Sequence, residues 1–213
     1  MRTDHLIDIL AQGAEPVPPR TAARLTARAL ALGLPLSAGI VALDYGLRDD
    51  LAQVADWPMF WLKLLFPLLI ALAGFLAIER LGRPGKRLGL LGLAFVLPVG
   101  ALWLLAWAAL DVMPPSEREA MLFGQTWRSC MFSIAYIALP VFVTAMLALR
   151  SLAPTAPMRA GAAAGAMASG AAAAVYALHC PELEAPFIAV WYVAGIALTC
   201  AVGAVVGRLV LRW

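Results

Sequence analysis

The chain has 213 residues, of which 63% are hydrophobic and 14% charged, and its mean hydropathy is +0.85. An average soluble domain carries about 25% charged residues. A water-soluble fold of this length has no interior large enough for so much apolar side chain, so the bilayer is the natural solvent. The net charge is +3, and no direct contact with nucleic acid is expected. Three cysteines without a CxxC spacing exclude a zinc finger and a thioredoxin-type motif.

Residues 1–24 form the one sizeable polar segment. Thr3 caps a short helix with Asp4 in its first turn. Leu6, Ile7 and Leu10 then fall on one face at helical spacing, before Gly13, Pro16, Pro18 and Pro19 end it. A helix of about ten residues is marginal alone in water. It is stable only against a partner or a membrane surface, and a frayed cytosolic tail is the plain alternative.

Residues 25–213 contain six apolar runs, near 25–47, 58–78, 88–110, 129–149, 158–178 and 187–209. Each is about 20 residues long, enough to cross roughly 30 Å of hydrocarbon as a helix. Backbone polar groups must be satisfied inside the bilayer, so these runs are helices. The expected fold is an all-α membrane protein, a bundle of six transmembrane helices behind a short cytoplasmic segment. The first run is not read as a cleaved signal peptide: its polar lead is long, and no small-residue cleavage site follows.

Charge orients the bundle. One alternating set of segments carries twelve of the sixteen basic residues, including Arg20, Arg24, Arg80, Arg83, Arg150 and Arg208. The other set carries nine of the thirteen acids, among them Asp44, Asp50, Glu182 and Glu184. Both termini are therefore expected in the cytoplasm. Cys130 then starts helix four at the outer face, and Cys180 follows helix five at the same face. The two thiols can meet if helices four and five are neighbours. Cys200 lies too deep in helix six to join them.

Helices five and six carry small residues at every fourth position: Gly161, Gly165 and Ser169, then Gly195, Thr199, Gly203 and Gly207. Such stripes let membrane helices pack backbone to backbone. Helices one to four each hold a proline near mid-membrane, Pro35, Pro67, Pro98 and Pro140, which either kink the helices at similar depth or are simply tolerated there. Asp44 and Lys63 lie near the outer boundary, where they either pair or extend separately to the interface. No file of acids crosses the bilayer centre, which argues against a proton-driven transporter.

A nucleotide-binding loop, an HExxH pair and a GxSxG elbow are all absent from the sequence. The chemistry on offer is thiol chemistry at the outer face. In an oxidising compartment a close pair, Cys130 and Cys180, cycles to a disulfide. Soft cations also select thiolate and imidazole, and His179 adjoins Cys180, so a transient soft metal ion on Cys130, Cys180 and His179 is the one cofactor these residues allow. Unreactive buried thiols remain the plain alternative.

Several stretches carry a family resemblance: Thr3-Asp4-His5-Leu6-Ile7-Asp8, Gly46-Leu47-Arg48-Asp49-Asp50-Leu51, Phe60-Trp61-Leu62-Lys63, Trp127-Arg128-Ser129-Cys130, residues 149–157, Tyr176 to Glu182, and Trp191-Tyr192 with Gly195. The Trp-x-Ser-Cys and His-Cys-Pro elements are the most specific. In these the whole chain resembles the NrsF family, negative regulators of an extracytoplasmic-function sigma factor, sigma-F. The family pattern usually has Arg-Pro-Asp-Leu where this chain has Arg48-Asp49-Asp50-Leu51, a departure that weakens any role for the first outer loop. The resemblance implies a six-helix anti-sigma factor of the bacterial inner membrane, not an enzyme. It would hold the sigma factor until a heavy-metal or oxidative signal reaches the sensor thiols Cys130 and Cys180. It gives the N-terminal segment a partner, with Asp4, Leu6, Ile7 and Leu10 as the expected contacts. The competing classes are a membrane thiol-disulfide oxidoreductase, which usually needs more than one reactive pair, and a heavy-metal transporter, which needs cysteines along a path through the helices.

Overall fold

The computed structural model describes residues 3, 5, 7 and 20–212. Among them every regular element is helical. The first long helix, α1, runs Thr21–Ile40 and continues as a π turn over Val41–Tyr45; a short α2, Leu51–Val54, follows. Next come α3, Pro58–Leu81, and α4, Leu93–Val112, the latter entered through a 3-10 turn at Gly89–Gly92. A third stretch divides into α5 (Pro115–Phe123), α6 (Trp127–Ile137) and α7 (Leu139–Arg150). The chain ends with α8 (Pro157–Tyr176), a short α9 (Ala185–Phe187), a π turn at Ile188–Tyr192 and α10 (Val193–Val210).

Five of these segments are long and apolar enough to cross a membrane: Thr21–Tyr45, Pro58–Leu81, Gly89–Val112, Pro115–Arg150 and Ala185–Val210. At 1.5 Å per residue, 24 residues reach about 36 Å. Length and hydropathy mark five of the six expected crossings, and the expected fifth, 158–178, falls outside that set. It is α8, a full 20 residues long but built largely of alanine and glycine. The reason is its position. Fifteen of its twenty residues are buried, against only Leu102 and Ala106 in α4. A helix enclosed by protein meets little lipid, so it needs small side chains for close packing rather than large apolar ones.

Glycine sets that packing on two sides of α8. Toward α10, a Cβ on Gly165 would run into the Thr199 carbonyl and lie 2.9 Å from the Cys200 Cα; Gly161 and Gly203 oppose each other backbone to backbone. Toward α3, a Cβ on Gly170 would stand 2.6 Å from the Pro67 carbonyl oxygen, and one on Gly74 2.5 Å from the Met167 amide nitrogen. The first contact follows the small-residue stripes in the sequence. The second uses glycines outside them. Gly195, although part of the stripe, faces Ile134 of α6, and the Ser169 and Thr199 hydroxyls bond back to carbonyls of their own helices.

The prolines behave less uniformly than expected. Pro35, Pro67 and Pro98 sit inside uninterrupted helices. Pro140 alone coincides with a break, between α6 and α7. There the buried Ser37 hydroxyl of α1 donates to the Ile137 carbonyl at 2.7 Å. Side-chain donors of this kind satisfy carbonyls at an interrupted membrane helix. The same face of α1 brings Gly33 against the Val141 backbone, and the Thr144 hydroxyl reaches the Ala29 carbonyl at 2.8 Å.

Gly165→Leu and Gly203→Leu should each lower thermal stability in detergent by roughly 1–3 kcal/mol or more, the usual cost of overpacking. Leu90, 83% exposed, should tolerate Leu90→Ala within about 0.5 kcal/mol. Equal melting of the three variants would contradict the close-packed α8–α10 contact.

Candidate functional site

The ends of α3, α6, α8 and the α9–α10 segment converge with the 46–50 loop around Cys180. His179, Cys180, Pro181 and Glu182 form the loop that leaves α8. Cys130, on the second turn of α6, meets it. Both cysteines are fully buried and unbonded to each other covalently. The two thiols belong to the same buried cluster and act on each other electrostatically. The expected meeting of the two thiols is therefore found. Cys200 stands apart in α10, about 12 Å along the helix from Tyr192.

Lys63 lies beneath this loop. Its side chain is completely buried, and Nζ donates to the Cys180 carbonyl at 2.7 Å and the Glu182 carbonyl at 2.6 Å. Nζ also stands 5.4 Å from the centre of the Tyr192 ring, within cation–π range. Lys63 therefore neither pairs with Asp44 nor extends to the interface, the two expectations from sequence. Asp44 instead accepts a 3.4 Å hydrogen bond from the Tyr136 hydroxyl.

Glu182 ties the loop to α6. Its Oε1 accepts from the Gln125 amide at 2.6 Å, the Thr126 amide at 3.2 Å and the Thr126 hydroxyl at 3.4 Å. Thr126, at the N-cap of α6, makes no side-chain cap of its own, so the carboxylate from the distant loop takes that place at the positive end of the helix. Gly124 makes room for it. Its φ is +53°, and a Cβ there would lie 2.6 Å from the Glu182 carboxyl carbon.

The first interhelical loop also belongs to the site. Arg48 forms a two-pronged pair with Asp50, 2.6 and 2.8 Å, and donates to the Cys180 carbonyl at 3.3 Å, while its amide bonds the Leu178 carbonyl at 3.1 Å. Arg48 holds the Asp50 carboxyl below the usual carboxylate range. The position that departs from the family pattern, Asp49, takes no part in these bonds; its two neighbours do. The weakened role expected for this loop is corrected accordingly.

His179 is differently placed from the expectation. Its Nδ1 is 3.0 Å from the Gly46 carbonyl, and its ring packs edge-on against Tyr45 and tilted against Tyr176. Among the described residues no three His, Cys, Asp or Glu side chains converge as metal ligands. A Cys130, Cys180 and His179 metal site is not assembled, because the imidazole is spent on the loop backbone and the aromatic cluster. Two π turns supply the surrounding aromatics, Tyr45 from the first and Tyr192 from the second. The Tyr192 hydroxyl is buried without a conventional hydrogen-bond partner and faces the Cys180 sulfur.

Electrostatics distinguish the two thiols. The Cys130 thiol, and then the Lys63 ammonium, hold the Cys180 thiol below the ordinary cysteine range despite its burial. Of the expected partner-binding residues, Ile7 is helical and 57% exposed; Asp4, Leu6 and Leu10 lie outside the described residues. Sequence reasoning missed Lys63, Glu182, Thr126 and the Arg48–Asp50 pair as site residues. The signal available for Arg48, Asp50 and Lys63 was their place in the matched stretches.

Fold and site together define a helical protein of membrane-spanning character built around a thiol pair, with no assembled catalytic or metal centre among the described residues. Comparison with known proteins makes the assignment specific. The family described as "NrsF: Negative regulator of sigma F" matches residues 10–213. The chain is 40% identical over 213 residues to the "Probable anti-sigma-F factor NrsF" of Azospira oryzae, covering all of both chains. It is 41% identical over a 224-residue alignment to the "Anti-sigma-F factor NrsF" of Caulobacter vibrioides, again covering all of both. No solved structure matches. The chain belongs to the NrsF family of negative regulators of sigma F. That role is regulatory rather than enzymatic, which sets aside the oxidoreductase reading.

Glu182→Ala should remove the cap of α6 and its charge-assisted bonds, costing about 1–3 kcal/mol. Thermal melting in detergent should show the loss, with Glu182→Gln retaining part of it. A melting point unchanged in Glu182→Ala would exclude the cap as a stabilising contact.

Proposed function

We propose that this chain is a six-span anti-sigma factor of the bacterial inner membrane, with both termini in the cytoplasm. It holds an extracytoplasmic-function sigma factor and releases it on heavy-metal or oxidative stress, through Cys130 and Cys180 at the outer face. The observation that carries the reading is the contact of two free thiols inside a network joining four parts of the bundle. Cys180 lies in a loop bonded to the 46–50 loop through Arg48, to α3 through Lys63 and to α6 through Glu182. Covalent modification of either sulfur changes the space and charge at that junction, so the loop cannot keep all its bonds.

The N-terminal segment reads the change through α1. Leu6, Ile7 and Leu10 form the apolar face that docks on the sigma factor, with Asp4 in the first turn. A short amphipathic helix gains stability by burying such a face in a groove, and part of that gain offsets the cost of ordering it.

In cells, Cys130→Ser and Cys180→Ser should each abolish induction of the sigma regulon by cadmium, chromate or oxidant, while Cys200→Ser should not. Normal induction in the double Cys130→Ser, Cys180→Ser variant would leave a plain membrane tether. Leu6→Glu or Leu10→Glu should release the sigma factor with the protein still in the membrane; repression by a chain lacking residues 1–15 would place the contact elsewhere.

Orientation has its own check. Reporter fusions after Arg83 and Pro154 should be cytoplasmic, and fusions after Asp50, Pro115 and Glu182 periplasmic. A fusion after Pro154 on the same side as one after Glu182 would remove α8 from the spans.

A further inference from the structure

Lys63 presents an unsolved charge. Its ammonium is fully buried, yet among the described residues no carboxylate stands within 4.0 Å of it. Both of its acceptors are neutral carbonyls, of Cys180 and Glu182. Glu182 turns its carboxylate the other way, to the amides at the start of α6. Buried charges are ordinarily paired, since an unpaired one forfeits its hydration without return. On the residue whose carbonyl Lys63 holds, the Cys180 sulfur can carry a negative charge without leaving the site. Its surroundings suit an anion. Thr126 Oγ1 lies 4.0 Å away, and the Cys130 thiol and the Tyr192 hydroxyl both favour its charged form.

We propose that Lys63 is the counter-ion of a Cys180 thiolate, which makes Cys180 the attacking thiol of the pair and Cys130 the resolving one. Lys63 is thus a positioning residue for the sensor, and the assignment rests on the sensor reading of the pair given above. With a small organic disulfide as oxidant, the Cys180 thiolate attacks one sulfur. A Cys180–sulfur bond forms, the oxidant's S–S bond breaks, and one thiolate departs. Cys130 then gives its proton to a departing thiolate and attacks the Cys180 sulfur. The Cys130–Cys180 bond forms, the mixed disulfide breaks, and the second thiolate leaves. One protein thiolate and one protein thiol are oxidised, and one disulfide is reduced to a thiol and a thiolate. Both sulfurs are buried, so entry of the oxidant requires the 180–182 loop to lift, and Lys63 and Glu182 hold that loop down.

The charged and titratable groups around the Cys180 sulfur are Lys63, Arg48, Cys130, Tyr176, Tyr192 and Glu182. The test therefore isolates one thiol and one charge. Full-length chain in detergent, carrying Cys200→Ser and Cys130→Ser, keeps Cys180 as its sole thiol, with a serine hydroxyl still able to donate. Thiolate absorbance in the ultraviolet, followed from acid to alkaline pH, should show Cys180 ionised at neutral pH and protonated only in the acid range. A free thiol would titrate near pH 8.5. Lys63→Met should raise that midpoint by at least about one pH unit, tenfold in the ionisation constant, and Lys63→Arg should restore it. A midpoint unmoved by Lys63→Met would overturn the proposal.

Should Lys63→Met fail to fold, a second measurement keeps Lys63 in place. Chains carrying only Cys180 or only Cys130 are exposed to glutathione disulfide, and adducts are counted by mass. Cys180 should form the mixed disulfide roughly tenfold faster, because the thiolate is the nucleophile. Equal or reversed rates would overturn the assignment. Cysteine-independent induction in cells, with this chemistry intact, would instead overturn only the sensor reading.

Discussion

The buried ammonium of Lys63 is the constraint around which the cysteine end of the bundle is arranged. Removing a lysine charge from water costs several kcal/mol even after the surroundings relax. The cost falls only if its donors find acceptors in place. Here they come from the backbone of the loop after α8, at Cys180 and Glu182. Once that loop is drawn over α3, its side chains reach outward in fixed directions. Glu182 meets the first amides of α6, and Cys180 meets Cys130. Arg48 closes the network from the loop after α1 by taking the same Cys180 carbonyl that Lys63 holds. A single carbonyl thus accepts from two cations, which concentrates positive charge beside the sulfur that follows it on the same residue.

Such a network needs a rigid base, and α8 supplies it. The helix ends at Tyr176, four residues before Cys180. Its glycine and alanine surface lets α3 and α10 approach to backbone contact on separate sides. Packing at that distance leaves no side chain free to rearrange, so the helix moves as a unit or not at all. The low hydropathy that sets α8 apart from the other five long segments follows from the same cause. Hydropathy reports how much lipid a helix meets. A helix with most of its residues against protein has little reason to score highly.

Much of this was legible in the sequence, and the limits of legibility are physical. The long helices fall within a few residues of the expected runs, because bilayer thickness and apolar composition both act locally along the chain. The α8–α10 contact follows from glycines four apart, whereas the closeness of Cys130 and Cys180 was legible only on condition that their helices are neighbours. The partners of Lys63 and Glu182 were not readable. Each bonds to backbone groups far away in sequence, and a carbonyl or amide leaves no mark in residue identity. Matching side-chain charges therefore drew attention to Asp44, which bonds Tyr136 instead. His179 misled for a related reason. Adjacency to Cys180 suggested shared ligands, but consecutive residues in a turn point apart, and the ring settles on Tyr45 and Tyr176.

Regular helical bonding is interrupted near Pro140, between α6 and α7. Cys130 sits on α6, seven residues or about 10 Å before Ile137, the last residue of that helix. At Ile137 the carbonyl accepts from Ser37, so the α6–α7 junction is hydrogen-bonded to α1 while the backbone stays helical through Ala138. Gly33 and Ala29, one and two turns further toward the start of α1, lie against Val141 and Thr144 of α7. A shift of α6 relative to α7 therefore loads α1 at three successive turns, and α1 is the helix that follows the N-terminal segment. The Glu182 cap acts on the other end of α6, through the amides of Gln125 and Thr126. The thiol loop grips the start of α6, and α1 grips its end. Hydrogen bonds and close packing thus join the thiol loop to α6 and α6 to α1.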